Sequence, residues 1–419
     1  MNNLSSRYYW GILYTLLLIT TLAYSYGTNV VSAFHNNFVT ISYILVLFVI
    51  FVISCKRTVI NREAYLYLGL IPIIYLGIYL GVYLSGADES VIWMPDSYRV
   101  HLLQSQSLLH RWNLLKLPAT LDERYLSFHF VSAIVFSLFG VNIYSGGVIL
   151  FIGKLLTGVF IYKFARKLFD SQIAAVALLV YILVPTVLFY SIVFYKEVYV
   201  HLFVIMVYYF AYEIFYLNKM RAAIPLLLSL LLLFNERFYL ASFFIANFVV
   251  FSIFYTKNRL RFVMLMLSVI GGVGVFYFFK EDILNLHSWR NSYNGYSDIN
   301  RKWNIEIPYC LAFVKILFTP FFTLNKFKLF HNFSYLLIWG SFINQVVILM
   351  MVGGGVKMIK KDLKTIIFIF TPFICFLLLF AYVGPAQGRL RDSFYPIISI
   401  FAAGFLFEIK RIRALINFN

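Results

Sequence analysis

Residues 172–215 read QIAAVALLVYILVPTVLFYSIVFYKEVYVHLFVIMVYYFAYEIF: one apolar run over 172–194, the charged pair Lys196-Glu197, and a second apolar run over 198–217. Each run is about 20 residues, and at about 1.5 Å of rise per residue a helix of that length crosses a hydrocarbon core of about 30 Å. In lipid every backbone N–H and C=O must find its partner inside the segment, so such runs are helices. The segment therefore predicts two membrane-spanning helices that turn back at a charged point.

Outward from it the pattern repeats. Further apolar runs lie near 10–26, 38–54, 64–84, 143–162, 222–235, 238–256, 262–279, 334–356, 364–382 and 394–408, about twelve in all. The chain of 419 residues is 62% hydrophobic and 12% charged, against about 45–50% and about 25% in soluble domains. The expected fold is thus an all-α polytopic membrane protein with about 12 transmembrane helices. Two more apolar stretches, 125–139 and 309–322, would reverse the sidedness of every later segment if they crossed the membrane. They are expected as juxtamembrane or re-entrant helices on the outer face, lining a protein cavity.

The formal net charge of +18 does not indicate a nucleic-acid binder, because the charge is not gathered on one folded face. It falls in short clusters between apolar runs: Lys56/Arg57/Arg62, Lys163/Arg166/Lys167, Lys219/Arg221, Lys257/Arg259/Arg261, Lys357/Lys360/Lys361/Lys364 and Lys410/Arg411/Arg413. With Arg7 these clusters hold more than half of the 35 basic residues and fewer than a third of the 17 acids. The positive-inside rule puts them all in the cytoplasm, together with both termini. By that topology the three cysteines, Cys55, Cys310 and Cys375, form no disulfide. Arg7 and the apolar run after it are expected as a retained first span rather than a cleaved signal peptide.

The chain divides into two N-terminal helices (1–63), a membrane core with a long first outer loop at 85–125 (64–279), a second outer loop with its re-entrant or juxtamembrane helix (280–333), and C-terminal helices (334–419). Chemistry is expected on the outer side. Asp96, followed by Tyr98 and Arg99, opens an amphipathic stretch at the membrane face; it reads either as a helix N-cap or as a carboxylate acting on a head group held at that depth. Glu197 and His201 are spaced i, i+4 on one helix face, where the imidazole can orient the carboxylate or titrate with it; the alternative is an interfacial charge with a capping role. Glu236-Arg237 interrupts an apolar stretch at a tight turn. Lys154 lies mid-span, where an ammonium is buried and paired, functional, or snorkels to the surface. Arg389 and Arg391, on a Gly/Pro-bearing loop, read either as ordinary outer-loop charges or as planar donor forks that match phosphate oxygens. The sequence contains no P-loop, H-E-x-x-H or G-x-S-x-G motif, so nothing points to ATP.

Taken in order, these pieces resemble the GT-C superfamily of membrane glycosyltransferases, in particular the branch of protein O-mannosyltransferases and lipid A aminoarabinose transferases. The resemblance runs through Met94-Pro95-Asp96-Ser97-Tyr98-Arg99 and the stretch from Phe128 to Leu138-Phe139-Gly140. It continues through Ala165-Arg166-Lys167-Leu168-Phe169-Asp170, Ala174-Ala175 to Pro185 and Tyr190-Ser191, and then the outer Lys196-Glu197. It ends in Arg389-Leu390-Arg391, Tyr395-Pro396 and Ala402-Ala403-Gly404. It covers about 64–256 well and the remainder loosely. It implies a GT-C-like fold, a polyprenyl-phosphate-linked sugar as donor, and a glycan, lipid or protein acceptor at the outer face of a bacterial plasma membrane. Asp96 would be the catalytic carboxylate and Glu197 a second one, with Arg237, Arg389, Arg391 and Lys196 toward the donor phosphate. Tyr98, Arg99, Lys154, His201 and Glu236 would be further cavity residues. Two extra spans before the first long loop and Asp96-Ser97 in place of an acid pair depart from that family, leaving acceptor, sugar and use of a divalent cation open. A repeat-unit polymerase of O-antigen or capsule, and a lipid-linked oligosaccharide flippase, are the rival expectations; the flippase would carry charges along a central path and an internal repeat.

Overall fold

A computed structural model describes residues 62–85, 105, 126–139, 141, 143–255, 313–314, 317–318, 334–383 and 391–416. Among them every regular element is helical. The helices are α1 Arg62–Ser85, α2 Leu126–Phe139, α3 Ile143–Leu168, α4 Ser171–Leu183, α5 Pro185–Ile192, α6 Glu197–Phe215, α7 Ala223–Glu236, α8 Phe238–Tyr255, α9 Ser334–Lys361, α10 Leu363–Val383 and α11 Tyr395–Ile416. A 3-10 turn, Met220–Ala222, leads into α7. The expected runs at 10–26, 38–54 and 262–279 lie outside the described residues.

Ser145–Leu168, Glu197–Phe215, Gly340–Ile359 and Leu363–Ala381 are each long and apolar enough to cross a membrane. The run at 172–194 departs from expectation: it is two helices, α4 and α5, bent by 60°. Pro185 is the reason. A proline pushes the residue before it out of the helical region, and Val184 is extended at φ −61°, ψ 119°. As a bent pair, α4 and α5 add a fifth candidate crossing. The two runs at 222–235 and 238–256 do form separate helices, but α7 has 14 residues, about 21 Å of helix against a core of about 30 Å.

Helix α6 is the axis of the bundle, buried over most of its length between α3 and α7. Helix α11 lies against α4 and α9, closing the bundle around residues far apart in the chain. Small residues permit the closest approaches. A Cβ on Gly153 would stand 2.8 Å from Val198 of α6, and one on Gly158 would stand 2.9 Å from Leu178 of α4. At Gly354 a Cβ would run into the backbone carbonyl of Phe401, and at Gly353 it would lie 2.6 Å from the Phe405 ring. Aromatic packing joins α6, α8 and α10: the Phe251 ring centroid lies 5.3 Å from Phe215 and 5.0 Å from Phe368.

Basic residues meet at one end of the bundle. Glu213, near the end of α6, pairs with Lys167 of α3 and, at 3.0 Å, with Lys219. Lys357 of α9 pairs with Glu408 of α11. Lys364, opening α10, lies 5.1 Å from the Tyr216 ring centroid and 5.4 Å from that of Phe251.

Candidate functional site

At the other end of α6 the charges are buried. Lys196 precedes the helix and Glu197 is its first residue, 1% exposed. The turn between α7 and α8 consists of Arg237 alone, with φ −150° and ψ 82°. That backbone sends its guanidinium across the bundle: Nη2 donates to Glu197 Oε1 at 2.9 Å and Nη1 donates to Ser393 Oγ at 2.5 Å. One ion pair thereby holds the start of α6, the α7–α8 turn and the segment before α11.

The neighbouring residues of that turn tie in another helix. Glu236 Oε1 accepts the Phe128 amide at 2.8 Å and the Ser127 hydroxyl, while Asn235 Oδ1 accepts the Ser127 amide at 2.9 Å. These amides belong to the first turn of α2, whose N–H groups have no partner within their own helix and favour a negative charge. Lys196 performs the converse at the end of α7, donating from Nζ to the Glu236 carbonyl at 2.9 Å, where a cation suits the helix's negative end. Among the described residues Arg237 Nε and Glu236 Oε2 have no hydrogen-bond partner. Buried charged groups cost heavily without compensation, so these two atoms mark where a polar ligand would be stabilised.

A second guanidinium forms the adjoining wall. Arg391 is fully buried; its Nη1 donates to the Leu317 carbonyl at 2.7 Å, and its Nε and Nη2 donate to Asp392 Oδ1 at 3.1 and 2.6 Å. With the Asn344 amide turned to suit its neighbours, its oxygen accepts from Arg391 at 2.8 and 3.0 Å. Burial pushes the Asp392 carboxyl up, outweighing the opposing pull of Arg391 and then Arg237. Arg391 thus holds the wall through Leu317 and Asp392.

From Glu197 a polar thread runs into the bundle. His201, one turn along α6, has Nδ1 3.1 Å from the Tyr181 hydroxyl. The Lys154 ammonium lies 4.1 Å from the Tyr181 ring centroid and donates to the Tyr181 carbonyl at 3.3 Å. Lys154 is 1% exposed, so it does not snorkel; the face of Tyr181 receives it as a cation over a π-system.

Of the residues expected from sequence, Glu197, Arg237, Lys196 and Glu236 come together, His201 and Lys154 extend inward from them, and Arg391 stands alongside. Asp96, Tyr98, Arg99 and Arg389 lie outside the described residues, and with them the Asp96–Glu197 separation. Sequence reasoning missed Asp392, Ser393, Tyr181, Ser127 and Asn344. Asp392 had a signal, an acid directly after an arginine at the entry to an apolar run; the others read as ordinary hydroxyls or amides. Among the described residues no three His, Cys, Asp or Glu side chains gather in a way that could hold a metal ion. Compared with known protein families and with characterised proteins, the sequence matches no family model and no curated relative.

Proposed function

We propose that this chain is a GT-C-type membrane glycosyltransferase that moves a sugar from a polyprenyl-phosphate donor to a cell-envelope acceptor at the outer face of a bacterial plasma membrane. In this reading it has about twelve spans and cytoplasmic termini. The observation that carries it is the buried Glu197–Arg237–Ser393 constellation at the end of α6 opposite the basic clusters. A guanidinium fixed by a carboxylate on one edge, with an N–H left over, is suited to a phosphate oxygen. Lys196, at the head of α6 and donating to the Glu236 carbonyl, adds positive charge beside it.

The chemistry asked of the protein is limited, because phosphate is a good leaving group. The acceptor hydroxyl attacks the anomeric carbon, and the bond from that carbon to the phosphate oxygen breaks. The hydroxyl proton passes to the Asp96 carboxylate, and the polyprenyl phosphate departs with the bonding pair. Asp96 is the general base; Arg237, with Arg389 and Lys196, stabilises the charge growing on phosphate. Glu197 holds Arg237 in place.

Mass spectrometry of cell-envelope glycans and lipid-linked intermediates tests this in wild-type cells, a deletion strain and cells making Asp96→Asn. The expected result is loss of one sugar in both mutants while the variant is still inserted in the membrane. Wild-type glycans in Asp96→Asn, with loss in the deletion, would refute the assignment of Asp96. A second reading, transport of a lipid-linked glycan, is favoured by one observation, the Lys154–Tyr181–His201 thread inside the bundle. Transport predicts that Lys154→Met abolishes the product whereas Asp96→Asn spares it.

A further inference from the structure

We infer that the protein carries a second, non-catalytic site at its basic end, which takes the phosphate head group of an anionic membrane lipid with the lipid chain lying along α7. This is independent of the transferase reading. A cavity of about 670 Å³ opens there, lined by residues that include Tyr209, Glu213, Asn218, Lys219, Arg221 and Pro225. The way the chain turns between α6 and α7 creates it. Asn218 adopts a left-handed φ of 53°. The Asn218 and Lys219 amides then close back on the Ile214 and Glu213 carbonyls at 3.1 and 3.0 Å, a helix ending for which asparagine is suited. The corner leaves room between the end of α6 and the start of α7.

Charge selects the ligand. Glu213 is bridged by both Lys167 and Lys219, so the carboxylate in the wall is already overcompensated. Arg221 also lines the cavity, and among the described residues it makes no ion pair or hydrogen bond. The cavity wall thus holds two cations, Lys219 and Arg221, against one carboxylate that Lys167 also neutralises from α3, a net positive lining that suits the single negative charge of a lipid phosphodiester. Basic pockets between helices at a membrane surface are where lipid phosphates are held.

The surface next to the cavity selects an amphiphile over free phosphate. Ile224, Leu227, Leu228 and Leu231 are 80%, 46%, 54% and 58% exposed, and at spacings of i, i+3, i+4 and i+7 they form one apolar stripe along α7. Met220, half exposed, lies on the cavity wall at the head of that stripe. A head group at Arg221 and Lys219 would direct its chain along this line.

Native mass spectrometry of the full chain in detergent tests the site, with phosphatidylglycerol, phosphatidylcholine of the same chains, and inorganic phosphate each offered separately. Phosphatidylglycerol is expected to bind most tightly. Each basic residue near a membrane surface contributes about fivefold in affinity, so Lys219→Gln with Arg221→Gln should weaken it roughly 25-fold. Lys361→Gln, in another basic cluster of the same end, should change it less than twofold. Equal weakening by Lys361→Gln would show diffuse surface charge and overturn the proposal. So would phosphatidylcholine binding as well as phosphatidylglycerol, or inorganic phosphate alone matching the lipid. Should the double variant fail to fold, Arg221→Gln alone, with about a fivefold loss expected, reads the same outcome, and a loss under twofold would equally overturn it.

Discussion

At the scale of single residues the Glu197–Arg237 pair dominates. Both partners are almost fully buried, and removing one partner of a buried pair strands the other charge at a cost of about 3–5 kcal/mol. Arg237→Met and Glu197→Gln are each expected to destabilise by about that amount in denaturant titrations of detergent-solubilised protein. The double variant is expected to lose clearly less than the sum, because neither charge is then stranded; full additivity would mean that the two side chains act independently. Glu197, Arg237, Lys196 and Glu236 were legible in the sequence for one reason: a charge inside or between apolar runs must be sheltered. Tyr181 and Ser393 were not, because a tyrosine or serine in a hydrophobic run carries no comparable penalty and so no comparable signal.

Elements show where local rules suffice and where packing decides. The break at Val184–Pro185 was present in the sequence as a proline within an apolar run, and length alone concealed it. By contrast, no local rule distinguishes Gly354 from Gly77. The structure does, because a Cβ at Gly77 meets nothing within 4 Å while one at Gly354 strikes the Phe401 backbone. Alanine favours a helix over glycine by about 1 kcal/mol, so Gly77→Ala is expected to leave the thermal midpoint unchanged or raise it. Gly354→Ala is expected to lower it by prising α9 from α11, with an overpacking cost of about 1–3 kcal/mol. Equal midpoints for the two variants would refute the close approach. Asp170 accepts the Ile173 amide at 2.8 Å at the start of α4, and Asp170→Ala is expected to cost about 1 kcal/mol as a lost cap.

For the whole molecule the sequence was informative about which charges gather together and nearly silent about how the helices are arranged. Among the described residues basic clusters far apart in the chain do lie at one end: Lys167 and Lys219 share Glu213, Lys357 pairs with Glu408, and Lys364 lies over the Tyr216 ring. In a cysteine-free background, Arg166→Cys is expected to react with a membrane-impermeant maleimide only after permeabilisation, and Ala386→Cys in intact cells. The reverse pattern would invert the proposed orientation. Which helices form the interior was not legible, because lipid and protein interior are both apolar. Glu197–Phe215 and Gly340–Ile359 have equal mean hydropathy, yet 78% of one window is buried and 39% of the other. The ion pair at the head of α6 also bears on how the protein is made. Its two partners are 40 residues apart, one opening α6 and the other just after α7, so both leave the ribosome within the same hairpin. A lone charge held at the bilayer centre costs about 2.5–3.5 kcal/mol on insertion scales; a hairpin whose acid and base can pair would carry both across with less of that cost. Ser393, synthesised 156 residues after Arg237, would then close on a guanidinium that Glu197 already holds.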